Sequence, residues 1–155
     1  MKTLKLTAEH FDSNGNYIGT VDVSTHDGDI EIAANLGWTK FKSIWVSGCL
    51  IALAGSSIEA GGSIEAGESI EAGGSIEAGL GIEAGLSITC TSMLFSKLRI
   101  FAGVCLWKLP SDDENTIRCG KVEAHSVHCK TIIETGLPED QTDACIDKLT
   151  TGESL

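Results

Sequence analysis

The sequence predicts an all-β fold, a single-stranded parallel β-helix of about five triangular coils. The first observation is a motif, Ser-Ile-Glu-Ala-Gly-x, that returns every six residues between Ser57 and Ser87 with unbroken spacing. The second is the content of the unit: one aliphatic residue, one small residue and one glycine. Such a hexad is typical of short strands that stack coil upon coil.

The alternation of side chains within each hexad assigns every residue a direction. In a strand, neighbouring side chains point to opposite faces, so Ile and Ala are expected to point inward and Glu outward. Gly is expected to turn the corner, because a left-handed backbone costs little without a Cβ. Degenerate units extend the pattern from Ile44 to Ile132, fifteen units in all, and one of them is Cys105-Leu106-Trp107.

Three hexads in each coil place residues eighteen positions apart on adjacent coils. We therefore expect Glu59 to stack beside Glu77 and Glu65 beside Glu83. Left-handed coiling is the usual outcome for hexad repeats, and it is the hand that we expect here.

The segments outside the repeat are predicted to close the two ends of the solenoid. We assign residues 1–42 to an N-terminal β cap, 43–133 to the solenoid and 134–155 to a C-terminal helical cap or tail. Residues 2–8 and 17–23 alternate like strands on either side of a turn at Asn14-Gly15, which predicts a β-hairpin. Residues 138–149 have the proline, acidic start and following glycine of a short helix.

Composition restricts the partners that the protein is expected to bind. The chain has 155 residues and a net charge of −11, so direct binding of nucleic acid is not expected. No apolar run is long enough to span a bilayer, and no secretion signal opens the chain. Six cysteines without such a signal indicate reduced thiols, so a cytoplasmic location and no membrane partner are expected.

The cysteines and histidines raise two chemical alternatives, a zinc site and an acyltransferase. Zinc would use Cys119, His125, His128 and Cys129, but inward and outward positions alternate among them and do not converge. Hexapeptide acyltransferases use a histidine base, yet none of the four histidines lies in a long loop. We expect no catalytic residue, no metal and no cofactor. The inward cysteines, which take the place of Ala in the unit, are Cys90, Cys119 and Cys129.

The outward glutamates are the predicted partner-binding residues. No Lys or Arg occurs between Lys42 and Lys97, so their charge is uncompensated along the sequence. Two interpretations stay open: a solubilising surface copied with the repeat, or a negative rod that imitates nucleic-acid phosphates. The predicted set is Glu59, Glu65, Glu68, Glu71, Glu77 and Glu83.

Large apolar residues replace Glu in the outward position at both ends of the repeat. Exposed apolar groups need a cover, so this set is predicted to lie under a cap or in an oligomer interface, such as that of a homodimer. The set is Trp45, Ile51, Phe95, Phe101 and Trp107.

The hexads resemble those of polymer-forming β-solenoids of the bactofilin type. The literal Ser-Ile-Glu-Ala-Gly run also resembles repeats in uncharacterised proteins of phages and Gram-positive bacteria. In charge and rod shape, the chain is similar to pentapeptide-repeat DNA mimics, although its unit differs from theirs. From these features we expect a non-enzymatic, phage-derived protein that inhibits a basic, nucleic-acid-binding host defence protein by charge mimicry. The alternatives are a self-assembling scaffold and an acyltransferase-like enzyme.

Overall fold

A computed structural model describes residues 2–105 and 107–137, and it confirms the parallel β-solenoid. The described residues form seventeen short strands and two 3₁₀ helices, the latter at Ala8–His10 and Asp113–Asn115. The strands are β1 (Lys2–Leu6), β2 (Gly28–Ile32), β3 (Gly37–Phe41), β4 (Ile44–Val46), β5 (Leu50–Ala52), β6 (Ser56–Ala60), β7 (Ile64–Ala66), β8 (Ile70–Ala72), β9 (Ile76–Ala78), β10 (Ile82–Ala84), β11 (Ile88–Cys90), β12 (Met93–Ser96), β13 (Arg99–Phe101), β14 (Thr116–Cys119), β15 (Lys121–Glu123), β16 (Ser126–His128) and β17 (Thr131–Glu134).

The strands form three parallel sheets, which the chain visits in turn. Sheet 1 has the order β1-β2-β5-β8-β11-β14-β17, sheet 2 the order β3-β6-β9-β12-β15, and sheet 3 the order β4-β7-β10-β13-β16. One coil therefore consists of a strand from each sheet. Five complete coils run from β2 to β16, and β1 and β17 add one further strand at each end of sheet 1.

The core is built from two inward ladders on each sheet, as the hexad pattern predicts. In sheet 1, Leu50, Ile70 and Ile88 are in register on successive coils and are fully buried. The second inward position is smaller, with Ala72 beside Cys90. Large and small inward side chains thus alternate along each strand and fill the narrow interior of the solenoid.

The glycines of the repeat serve close packing between coils. The prediction that they adopt a left-handed backbone was wrong for the regular repeat, because no glycine between Ser57 and Ser87 has a positive φ angle. Instead, a Cβ at Gly79 would meet the carbonyl oxygen of Gly61, and one at Gly67 would meet that of Ser47, far inside contact distance. At these two corners the coils stack so tightly that a side chain has no room.

The N-terminal segment caps the first coil, although not as a hairpin. Strand β1 pairs in parallel with β2, and only the Phe11–Tyr17 bridge is antiparallel. The edge of β3 is covered by backbone bonds of Lys40 with Gly15 and Tyr17. The chain around residues 23–26 covers β4 through bonds to Trp45 and Ser47. The edges of β2, β3 and β4 are therefore all paired, so no strand of the first coil keeps the open edge that a coaxial polymer would need, and β1 is the outermost strand of sheet 1.

Two predicted boundaries differ from the structure. The parallel sheets begin with β1 and not at residue 43, so much of the predicted cap belongs to the sheets. The predicted unit at Cys105-Leu106-Trp107 does not form a strand at its described residues, because β13 is followed by a loop that leads to β14. The predicted helix at 138–149 lies outside the described residues, and left-handed coiling stays a prediction. Across the described part of the chain, no helix is both long and apolar enough to traverse a bilayer.

Candidate interaction surface on sheet 3

The structure divides the predicted glutamates among three faces. Glu59 and Glu77 stack on sheet 2, and Glu65 and Glu83 stack on sheet 3, as their spacing predicts. Glu71 lies on sheet 1 between Ile51 and Thr89. Glu68 lies at a corner, where it accepts a hydrogen bond from the Sγ of Cys49 at 3.4 Å. The six carboxylates form separate pairs and single charges, and they do not form one continuous column.

Sheet 3 combines an acidic pair with aromatic side chains on one face. Its outward ladder runs Trp45, Glu65, Glu83, Phe101 and His128 on successive strands. Phe101 and His128 stack with ring centroids 4.7 Å apart. Of the other predicted apolar residues, Ile51 lies on sheet 1 and Phe95 on sheet 2, so the predicted set is not a single interface.

Trp107 joins this face from the loop that follows β13. It lines a groove of about 280 Å³ together with Trp45 and both carboxylates, and the loop residues Val104 and Cys105 complete the wall. Trp45 is 40% exposed and Trp107 is 62% exposed. We call Trp45, Glu65, Glu83, Phe101 and Trp107 the sheet 3 patch.

A second groove, of about 250 Å³, lies on the other side of the same acidic pair. Phe101, Leu80 and Leu98 provide its apolar wall, and the two leucines are 50% and 48% exposed. Glu65 and Glu83 therefore form a charged ridge between two grooves with apolar walls. Exposed apolar groups that are bordered by polar ones mark surfaces that bind another protein.

The acidic pair is electrostatically strained. Partial burial raises the pKa of Glu65, and the carboxylate of Glu83 raises it further. The two residues face each other on adjacent strands, about 4.8 Å apart. Among residues 2–105 and 107–137, no Lys or Arg forms an ion pair with either of them. A cation placed on the ridge would relieve the repulsion, and its attraction to the carboxylates would offset the desolvation cost.

The loop that carries Trp107 is fixed to the solenoid and braced internally. The N–H groups of Gly103 and Cys105 donate to the carbonyls of Leu86 and Gly85, which follow β10, at 2.8 and 2.9 Å. Lys108 pairs with Glu114 at 2.6 Å, and its Nζ lies 5.4 Å from the centre of the Trp107 ring. These contacts orient the tryptophan over the groove before any partner arrives.

No protein-family model, curated protein or solved structure matches this chain. The fold is therefore established by the strand pairings of the chain itself. The resemblances to bactofilins and to the repeat proteins of phages stay predictions.

Two larger grooves, of about 480 and 390 Å³, lie in the N-terminal cap. They lie along the contact between the cap and β3, and many of their polar groups form hydrogen bonds with other residues of the cap. Asp22 accepts bonds from Ser24, and Asp12 accepts bonds from Asn14 and Asn16. These hydrogen bonds lower the pKa of both aspartates. We therefore assign these grooves to the packing of the cap.

The residues of the zinc and acyltransferase alternatives are dispersed. Cys119 is buried in the core, whereas His128 is exposed and stacks on Phe101. The N–H of Thr7 donates a hydrogen bond to Nδ1 of His10, and Nε2 of His26 is hydrogen-bonded to the carbonyl of Asp29. No group of three or more His, Cys, Asp or Glu side chains able to hold a metal ion occurs within the described ranges.

Sequence reasoning placed Trp45, Glu65 and Glu83 outward, and it missed how Trp107 joins them. The repeat pattern treated Trp107 as one more strand residue, whereas a loop returns it to the side of Trp45. The polar break at residues 110–115 was the available signal that the regular coil is interrupted there.

Proposed function

We propose that this protein is a non-enzymatic binding protein that docks a basic segment of another protein on the sheet 3 patch. The observation that carries the proposal is the stacked Glu65–Glu83 pair, which lies between two grooves and beside the exposed rings of Trp45 and Trp107.

The chemistry of the patch fits arginine and lysine side chains. A cation between the two carboxylates would cancel their mutual repulsion, and hydrogen bonds to charged groups are among the stronger ones. The tryptophan faces attract cations, and a planar guanidinium also stacks on them. Arginine suits both features at once, so an arginine-containing segment is the preferred ligand.

The partner that we propose is a basic, nucleic-acid-binding protein, and not nucleic acid itself. The net charge of −11 opposes phosphate binding, whereas it steers a basic surface toward the chain. Proteins that bind nucleic acid carry clustered Lys and Arg for this purpose. Occupation of such a cluster would block its nucleic-acid site. Inhibition of a host defence protein by a phage-derived chain in the cytoplasm is the biological setting of this proposal.

The division of the glutamates favours a local docking site over a rod that imitates phosphates along its whole length. A phosphate mimic would need a continuous row of charges, and each face offers at most one stacked pair of the six predicted glutamates. The aromatic side chains beside Glu65 and Glu83 add a contact that charge mimicry alone does not require.

The proposal is tested by titrating a deca-arginine peptide and following tryptophan fluorescence and calorimetric heat. The E65Q/E83Q variant should bind at least about tenfold more weakly at low salt, because a partly desolvated charge pair is lost. The matched control is E59Q/E77Q, which removes the same charge from the stacked pair on sheet 2. That control should retain most of the affinity. Equal losses in both variants would contradict a local site, and so would unchanged binding in both.

A second variant tests the aromatic part of the patch. Trp107 is largely exposed, so W107A should leave the fold intact. Loss of the cation–π contact should weaken peptide binding about two- to fivefold. A deca-lysine peptide should be less sensitive to this change than deca-arginine, because an ammonium group does not stack on the ring. Identical losses for both peptides would oppose the proposed arginine preference.

A further inference from the structure

Two cysteines lie next to each other inside the fourth and fifth coils. The register of β11 with β14 pairs Ile88 with Ile117 and Thr89 with Arg118, which places Cys90 beside Cys119 one residue further on. Both point inward, at 6% and 1% exposure. Facing residues on neighbouring strands have Cα atoms about 4.8 Å apart, within the range of about 4.4–6.8 Å found for disulfides.

The two thiols already interact, and they differ in acidity. The proximity of the two thiols raises the pKa of Cys90 and lowers that of Cys119. Burial also raises the pKa of Cys90. These directions favour Cys119 as the thiolate of the pair, and the thiolate is the reactive form of cysteine.

Cys119 is also the member of the pair nearer to the end of the solenoid. It is in register with Glu134 on β17, a strand whose four residues are exposed. Cys90 is enclosed on its other side by Ala72. Terminal strands open more readily than central ones. Opening of β17 would uncover Cys119 while the earlier coils stay folded.

We propose that Cys90 and Cys119 are an oxidisable pair that forms a disulfide between adjacent coils, with a small-molecule disulfide such as oxidised glutathione as the oxidant. The Cys119 thiolate attacks one sulfur of the oxidant, and the S–S bond of the oxidant breaks to release one thiolate. Cys90 then loses its proton and attacks the Cys119 sulfur, which releases the second thiolate. Two protein thiols are oxidised, and one glutathione disulfide is reduced to two thiols.

The consequence would be a covalent connection between β11 and β14. This inference is independent of the sheet 3 patch, because both sulfurs lie in the core and neither lines a groove of the patch. Closing a loop of this length in the unfolded chain should raise the melting temperature by about 5–10 °C. The oxidised form would thus be the more stable one.

The test exposes the folded, reduced protein to oxidised glutathione, blocks free thiols with N-ethylmaleimide and maps the linkage by mass spectrometry after trypsin. The C49A variant is the background, because Cys49 and Cys90 otherwise share the tryptic peptide 43–97. We expect peptide 43–97 to be joined to 119–121, with a loss of two hydrogens from the intact mass and the stated rise in melting temperature. Both changes should reverse on reduction.

The matched variant is C90A, which places at this position the alanine that β8 carries at Ala72. It should show neither the linkage nor the rise in melting temperature. If C90A fails to fold, the proposal is judged from the C49A variant alone, by whether its peptide map shows 43–97 joined to 119–121. The proposal is overturned if Cys90 and Cys119 both stay free under saturating oxidant, or if Cys119 is joined to a different cysteine.

Discussion

Glu65 and Glu83 stack on adjacent coils of sheet 3, in register, with no ion pair to Lys or Arg within the described residues. Like charges that face each other across a strand pair destabilise a sheet. The fold tolerates this cost at a position that is flanked by exposed aromatic and aliphatic side chains. Features that lower stability and also create a binding surface are typical of functional sites.

The E65Q substitution should stabilise the fold while it weakens binding. Loss of the repulsion with Glu83 should raise the free energy of unfolding at neutral pH by about 0.2–1 kcal/mol, measured by urea denaturation. The control is E71Q, because Glu71 lies between Ile51 and Thr89 and has no stacked carboxylate. Its effect should be smaller. A loss of stability in E65Q would show that the carboxylate is compensated in the folded protein.

Stability should depend on pH through Glu65 in a defined direction. The pKa of Glu65 is raised in the folded protein, so the folded chain binds this proton more readily than the unfolded chain. Stability from this group therefore falls as the pH rises through the raised pKa, and it is regained on acidification. The stability difference between wild type and E65Q should shrink as the pH is lowered. A difference that is constant with pH would contradict the raised pKa.

Peptide binding should show the opposite trend with pH. A bound cation favours the ionised form of Glu65, so binding must release the proton wherever the free protein holds one. Affinity for deca-arginine should therefore weaken as the pH falls toward the raised pKa of Glu65. Calorimetry in two buffers of different ionisation enthalpy measures the released proton directly. The E65Q variant should lose this part of the proton release.

The repeat glycines give a prediction about packing. At Gly79 a Cβ would meet the backbone of Gly61, so G79A should destabilise the fold by about 1–3 kcal/mol. At Gly61, the corresponding position one coil earlier, the nearest atom to a new Cβ is the Lys42 carbonyl oxygen at 4.0 Å. G61A should be neutral or slightly stabilising, by up to about 1 kcal/mol. Thermal melts of the two variants should separate them, and equal effects would contradict coil-to-coil contact as the reason for glycine.

Much of the solenoid follows from the spacing of residues alone. A period of six residues and three strands per coil are enough to place Glu59 beside Glu77 and to turn Cys90 and Cys119 inward. The end of the solenoid does not follow in the same way. Alternation along residues 2–6 indicates a strand but not its direction, and the parallel pairing of β1 is set by the exposed edge of β2.

The position of Trp107 also lies beyond the repeat pattern. Its neighbours in sequence resemble a hexad, and the loop turns away from strand geometry because the N–H groups of Gly103 and Cys105 donate to the carbonyls of Leu86 and Gly85, just after β10. Only the folded coils bring Trp45 close to it. The repeat therefore predicts one part of the candidate site, the Glu65–Glu83 pair. It does not predict the position of Trp107, which depends on an interruption of the repeat.

The paired edges of the first coil predict that the chain does not polymerise through its N-terminal end. Residues 15–17 and 23–26 occupy the backbone groups of β3 and β4 that a second solenoid would need. Light scattering on a gel-filtration column should give one fixed mass across a hundredfold range of protein concentration. A mass that grows with concentration would favour the scaffold alternative, and a fixed trimer would favour the acyltransferase-like one. Deletion of residues 2–26 should expose these edges and produce larger species, which tests the cap itself.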